Sequence, residues 1–151
     1  MLLADENSVP VENSDCADEE NFRALALGEF PNLAEDFAEY EDLLHLQMAA
    51  FSRVAQEAIE FGDFATVERC YRLLEEVLKT AKFNLRNAIY VSFLENINFE
   101  TPDGTKARQL LPQILSEMLV ELEEHMQMLY EHQIKRQDAE QAAQEENARE
   151  K

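Results

Sequence analysis

The chain has 151 residues, with only three glycines and four prolines, and its 32 acidic against 13 basic side chains give a net charge of −19. So few glycines and prolines exclude β-sandwiches and barrels, whose many tight turns need them. The charge argues against direct contact with nucleic acid or an anionic membrane. We therefore expect a single all-α domain with polar tails, built as a helical bundle or as stacked antiparallel helical hairpins.

The N-terminal residues 1–20 carry seven acids and no base, with few large apolar groups. Such a segment cannot bury enough surface to offset its ordering entropy, so we expect it to be disordered. Phe22 and Leu25 indicate a short helix that ends at Gly28. Neither a signal peptide nor an apolar run of 18 residues is evident, and we expect a cytoplasmic protein.

The next two helices are predicted from their apolar spacing. Pro31 suits a first helical turn, and Leu33, Phe37 and Tyr40 then form one stripe. A longer stripe follows from Leu44 to Ala58, and Gly62, a typical C-terminal glycine, ends its helix. Acids dominate this region, since residues 1–45 hold 13 acids and one base. The acids that we expect to form a partner-binding surface are Glu35, Asp36, Glu39, Glu41 and Asp42.

Asp63 is a good N-cap for the next helix, and the short Gly62-Asp63 joint indicates an antiparallel hairpin. Residues 88–94 are apolar except for Ser92 and contain strand formers, so a buried strand is one alternative. We favour a helix, because a lone strand has no partner for its backbone groups. A helix that is apolar on nearly every side is expected to be the central one.

The sequence 101–104, Thr-Pro-Asp-Gly, is a strong turn signal, and Pro112 is expected near the start of the last helix. Apolar residues and histidines recur at helical spacing over 111–132. The tail 135–151 has helix propensity but no apolar face, which predicts a frayed helix or disorder. The expected organisation is thus an acidic segment 1–20, a helical domain 21–134 and a polar tail 135–151.

Motifs for catalysis are missing from this sequence. Its three glycines lie too far apart for a phosphate-binding loop, and there is no nucleophile elbow. Of the histidines, His125 and His132 share a helical face but lie about 10 Å apart, too far to chelate one ion alone. We therefore expect no catalytic, cofactor-binding or metal-binding residues, and no enzyme activity.

Residues 87–96, Asn-Ala-Ile-Tyr-Val-Ser-Phe-Leu-Glu-Asn, follow the predicted hairpin. This arrangement resembles an uncharacterised bacterial all-helical domain family with a Val-x-Phe-Leu-Glu-Asn motif, over about residues 30–132. Members of that family are associated with toxin–immunity neighbourhoods. The resemblance implies a helical fold and an immunity-like role, and it supplies no catalytic residues.

These observations favour a non-enzymatic protein-binding domain that docks its acidic surface on a basic protein partner. Two alternatives stay open. In the first, the chain mimics nucleic acid and inhibits a nucleic-acid-binding protein. In the second, it is a structural scaffold whose 111–132 helix self-associates into a homo-oligomer. Displacement by DNA or RNA distinguishes the first alternative, and the mass in solution distinguishes the second.

Overall fold

The structure is a computed structural model that describes residues 17–150. Most of the predicted disordered segment, including Cys16, lies outside these residues. Helices account for most of residues 17–150, which contain no β-strand, and the all-α prediction is confirmed. The chain divides into two compact units, Met1–Ser116 and Glu117–Lys151.

The helices are labelled in chain order. Helix α1 spans residues 17–29, and a 3₁₀ turn, Pro31–Leu33, leads into α2. The remaining α-helices are α2 (Ala34–Glu39), α3 (Leu44–Glu60), α4 (Phe64–Leu78), α5 (Phe83–Ala88), α6 (Pro102–Gln109) and α7 (Gln113–Glu150). Helix α5 continues as a π-helical turn, Ile89–Phe93, and a 3₁₀ turn, Leu94–Asn96.

Helix α1 is already formed at residue 17, so residues 17–20 are helical and not part of a disordered segment. The reason is a contact that is remote in sequence. Asp18 is buried, and its Oδ2 accepts a hydrogen bond of 2.8 Å from the backbone N–H of Lys82, just before α5. This bond satisfies a helix N–H that lacks an intrahelical acceptor and fixes the start of α1.

The core of the first unit lies around α3, which contacts α2, α4, α5 with its π turn, and α6. Phe51 of α3 is fully buried, and its ring lies 5.6 Å from the rings of both Phe22 and Phe93. Aromatic pairs at this separation add to the free energy of burial. The central helix is therefore α3, and the expectation that residues 83–97 form it is wrong, since Val91 is exposed.

A buried glutamine joins three elements of the core. Gln47 of α3 accepts a 2.7 Å hydrogen bond from Nε of Arg23 in α1. Its side-chain amide donates to the carbonyl oxygens of Tyr40, at 3.0 Å, and Phe37, at 3.4 Å. These bonds help to satisfy backbone acceptors at the end of α2, where the Tyr40 carbonyl also accepts from the backbone N–H of Leu43 at 2.9 Å. Gln47 therefore holds the acidic α2 segment against α3.

Helices α3 and α4 form the predicted hairpin. Gly62 adopts a positive φ of 71° after the end of α3, a conformation in which a Cβ is unfavourable. Asp63 then caps α4, since its carboxylate accepts from the backbone N–H of Thr66 at 3.3 Å and from the Thr66 hydroxyl at 2.6 Å. These hydrogen bonds hold the pKa of Asp63 below its usual value.

Residues 88–94 are helical, as predicted, although in an unusual form. The π-helical turn Ile89–Phe93 places Ile89 and Phe93 in the core, together with Ser92. The Ser92 hydroxyl lies 2.7 Å from Nδ1 of His45 at the start of α3. This hydrogen bond links the π turn to α3.

The sequence 101–104 does not form an isolated turn, and that expectation is wrong. Thr101 is the N-cap of α6, and its hydroxyl accepts a 2.9 Å hydrogen bond from the backbone N–H of Gly104, with Pro102 in the first turn. The same residue types begin helices as well as turns. Gly104 packs so tightly that a Cβ there would overlap the carbonyl oxygen of Asn98. Tyr71 of α4 anchors α6 by donating to the Ala107 carbonyl at 2.9 Å.

Helix α7 begins directly after Pro112, near the expected position, and runs without a break to Glu150. The tail from residue 135 is therefore helical through Glu150 and not disordered there. In the second unit the buried side chains are Met118, Leu119 and Leu122. Within the described chain, no helix combines the length and apolar character that crossing a membrane requires.

Candidate partner-binding site

A groove of about 490 Å³ lies in the first unit, between the segment that joins α1 to α2 and the second half of α3. Its lining combines apolar residues, Leu33, Val54 and Ala58 among them, with polar and charged ones. Concave surfaces that combine apolar side chains with polar groups are typical of binding sites in proteins. We call it the α2–α3 groove.

Acidic side chains surround the α2–α3 groove. Glu29, Asp36, Glu57 and Asp63 line it, against Arg53 as the basic lining residue. Asp36 Oδ2 lies 3.9 Å from the Arg53 guanidinium, a distance at which two exposed groups attract only weakly. Glu57 is exposed on α3, one turn before the end of that helix. The groove therefore presents negative charge to solvent.

One of these acids already has a strong partner. Arg69 of α4 binds the Glu29 carboxylate through Nε at 3.0 Å and Nη2 at 2.8 Å, and Nη2 also donates to the Glu29 carbonyl. The same guanidinium lies 4.8 Å from the centre of the Phe30 ring, a cation–π contact. Arg69 thus fixes the α1–α2 connection, and the remaining charge at the groove comes chiefly from Glu57 and Asp63.

An exposed aromatic ring stands at the edge of the groove. Phe61 follows the last residue of α3, and 85% of its surface is exposed. Its backbone N–H donates to the Glu57 carbonyl at 3.0 Å, and the turn at Gly62 follows directly. The ring therefore sits on a firmly hydrogen-bonded backbone. An aromatic ring left in water beside a partly apolar groove is characteristic of residues that anchor protein interfaces.

The structure places the five predicted site residues on or just after α2. Glu35, Asp36 and Glu39 belong to α2, and Glu41 and Asp42 lie in the turn that leads to α3. Four of them are exposed, whereas Asp36 is half-buried. Asp36 also lines the α2–α3 groove, and the other four are not among its lining residues. The acidic segment, residues 35–42, thus adjoins the groove through Asp36.

The histidines occupy different settings. His45 is exposed, and its Nδ1 lies 2.7 Å from the hydroxyl of the buried residue Ser92, so this contact links α3 to the π turn. His125 and His132 are exposed on α7. Among residues 17–150, no group of three or more histidine, cysteine or acidic side chains is placed to hold a metal ion.

Sequence reasoning missed Phe61 and Glu57. A signal for Phe61 was present, because it precedes Gly62-Asp63 and falls outside the apolar stripe that ends at Ala58. A large aromatic residue in a turn, off the buried face, is a reason to suspect a contact surface. Glu57 carried no comparable signal, since surface carboxylates are common on helices.

A family model matches residues 23–138 of this chain, and its description is "Domain of unknown function (DUF7674)". The match runs from the middle of α1 through α6 to more than half of α7, and so includes the groove and the acidic segment. No curated protein and no solved structure matches the chain. The chain belongs to the DUF7674 family, which fits the resemblance of its 87–96 sequence to an uncharacterised helical domain family.

Proposed function

We propose that this chain is a non-enzymatic protein-binding domain that docks the α2–α3 groove and its acidic surroundings on a basic partner. The observation that carries the proposal is Phe61, an almost fully exposed aromatic ring at the edge of a partly apolar groove with acidic sides. Exposed apolar surface is costly in water, and a large ring at such a position gains most when a partner covers it.

The chemistry of the groove selects the partner. A lysine or arginine side chain can place its charge near Glu57 and its aliphatic carbons on the apolar lining residues Val54 and Ala58. An arginine can also lie over the Phe61 ring, as Arg69 lies over Phe30 at 4.8 Å. A basic segment with one or two apolar residues is therefore the best match.

The acidic segment adjoining the groove contributes at longer range. Glu35, Glu39, Glu41 and Asp42 are exposed and extend the negative surface beyond Asp36. Charges of one sign around a docking site accelerate encounter with an oppositely charged partner, and the effect weakens as salt screens them. We assign these residues to steering, and Phe61 and Glu57 to the contact itself.

The biological setting that we propose is immunity-like. In this reading the chain is a bacterial, cytoplasmic protein, and its partner is a basic toxin, for example one that cuts nucleic acid. The resemblance of residues 87–96 and the net charge of −19 support this reading. An acidic inhibitor of this kind covers a surface that otherwise binds phosphates.

The test is to capture the partner on the full chain at low ionic strength, identify it, and measure its affinity by calorimetry over a salt series. We expect affinity to fall as ionic strength rises, and to fall for the variants Phe61→Ala and Glu57→Lys. The matched controls are Phe83→Ala and Glu75→Lys, which alter an exposed aromatic and an exposed acid outside the groove.

An acidic partner, or an affinity that ionic strength does not change, would contradict the proposal. So would control variants that weaken binding as much as the groove variants do. Competition by DNA or RNA for the captured partner would instead support the nucleic-acid mimic, the alternative that the sequence left open.

A further inference from the structure

Helix α7 carries a second apolar surface, separate from the groove. Every residue from Glu123 to Arg149 is exposed, a length of about 40 Å at 1.5 Å per residue. Large apolar side chains nevertheless occur on this exposed part, including Leu129 at 57% and Tyr130 at 60% exposure. An exposed helix normally carries polar residues on every side, so these side chains need an explanation.

The apolar residues are not scattered around the helix. At 100° per residue, Met126, Leu129, Tyr130 and Ile134 fall within an arc of about 140°. The arc includes the direction of Leu122, which is buried, so one apolar face passes from buried to exposed along α7. We call these four exposed residues the α7 stripe. Its spacing matches the i, i+3, i+4 pattern by which one helix recognises another.

The charge beside the α7 stripe differs between its two edges. By the same helical geometry Glu123 lies within the arc, Glu131 and Asp138 lie beside its edge at Ile134, and Arg136 lies beside its edge at Leu129. The chain as a whole has a net charge of −19, so two copies paired along the stripe would repel each other. A second copy is therefore a poor occupant.

We propose that the α7 stripe binds an amphipathic helix of a partner protein, whose apolar face is bordered on one side by lysine or arginine. The apolar faces pack against each other, and the basic border of the partner meets Glu131 and Asp138. Met126 suits such a contact, because its flexible, polarisable side chain adapts to irregular surfaces. This site is independent of the α2–α3 groove, since it rests on different residues in the other unit.

The probe is a synthetic helix of about four turns built from leucine and lysine, with leucine at helical spacing. Its binding to the full chain is measured by fluorescence anisotropy. Two comparison peptides carry glutamate in place of lysine, or the same composition in scrambled order. We expect the amphipathic basic helix to bind more tightly than either, because only it offers both the apolar face and the complementary charge.

The protein variants locate the contact. Leu129→Gln removes one of the four apolar side chains of the stripe and is expected to weaken binding roughly tenfold. Met128→Gln is the matched control, because Met128 is 68% exposed but lies about 170° from the centre of the stripe. The control variant should bind as the natural sequence does. Because the α2–α3 groove is also proposed to bind a basic segment, every affinity is measured in a chain that carries Phe61→Ala and Glu57→Lys. In that background the loss caused by Leu129→Gln reports on the stripe alone, so its absence overturns this proposal and leaves the proposal for the groove untouched.

Three outcomes would overturn the inference. The first is that the scrambled or acidic peptide binds as tightly as the amphipathic basic one. The second is that Met128→Gln weakens binding as much as Leu129→Gln does. The third is that sedimentation shows dimers of the chain, which Leu129→Gln abolishes. The last result would assign the stripe to a second copy, and with it the scaffold role.

Discussion

Replacing Gln47 by leucine tests the account of how the acidic segment is held. Leucine keeps most of the side-chain volume, so the change removes hydrogen bonds without leaving a large cavity. The amide of Gln47 donates to the carbonyls of Tyr40 and Phe37 and accepts from Arg23. Its side chain is 2% exposed, so water cannot replace these bonds without opening the core.

The magnitude follows from the partners that are left behind. A buried group that loses its hydrogen bond costs about 1–3 kcal/mol. Arg23 still has Glu19 at 3.6 Å, and the Tyr40 carbonyl still accepts from the backbone N–H of Leu43 at 2.9 Å, which reduces the cost at both groups. We therefore expect a loss of about 2 kcal/mol in the free energy of unfolding. In a chain of this size that lowers Tm by about 4–8 °C.

The measurement is chemical and thermal unfolding followed by circular dichroism, with the exposed Gln109→Leu as the control. Because Gln47 fixes the end of α2, partner affinity should fall as well. A Gln47→Leu protein within about 0.5 kcal/mol of the natural one, at an unchanged denaturant slope, would show that these bonds do not hold the segment.

Three further predictions concern single sites. Gly104→Ala should destabilise the fold by about 2–4 kcal/mol, measured by urea unfolding, because the new Cβ overlaps the Asn98 carbonyl and the backbone must shift. Asp63→Ala should lower Tm at neutral pH, because the hydrogen bonds to Thr66 are lost. Since the folded pKa of Asp63 is depressed, the charge-dependent part of its stabilisation is present above the ordinary value of 3.8 and disappears as pH falls through the lowered pKa. Asp63→Asn keeps an N-cap that does not titrate. Burial raises the pKa of Cys70 to about 12, so its thiol should resist alkylation in the folded protein and react on unfolding, as mass spectrometry of the labelled peptide will show.

The sequence predicted those elements that depend on local chemistry. Gly62 and Asp63 mark the α3–α4 joint because a positive φ and a carboxylate N-cap are requirements of the chain itself. The helix over residues 88–94 followed from the need to pair backbone groups. Thr101 was misread because an N-cap followed by proline and a turn use the same residue types.

The candidate site was predictable only in part. The acidic segment was visible as a charge excess, and Asp36 does line the groove. The groove itself depends on how α3 packs beside the α1–α2 connection, which no local pattern encodes. Likewise, Gln47 appears in the sequence as a polar residue in an apolar helix, but its three partners come from segments 7, 10 and 24 residues away.

The length of α7 affects how unfolding of this protein is to be observed. Beyond Leu122 the helix is exposed on every side, so its backbone amides rely on hydrogen bonds within one helix and on no buried side chain. Such amides should exchange with deuterium through local fraying, long before those of α3. Far-ultraviolet ellipticity will therefore decline in a shallow slope as α7 melts, ahead of the cooperative step that the phenol of buried Tyr71 reports.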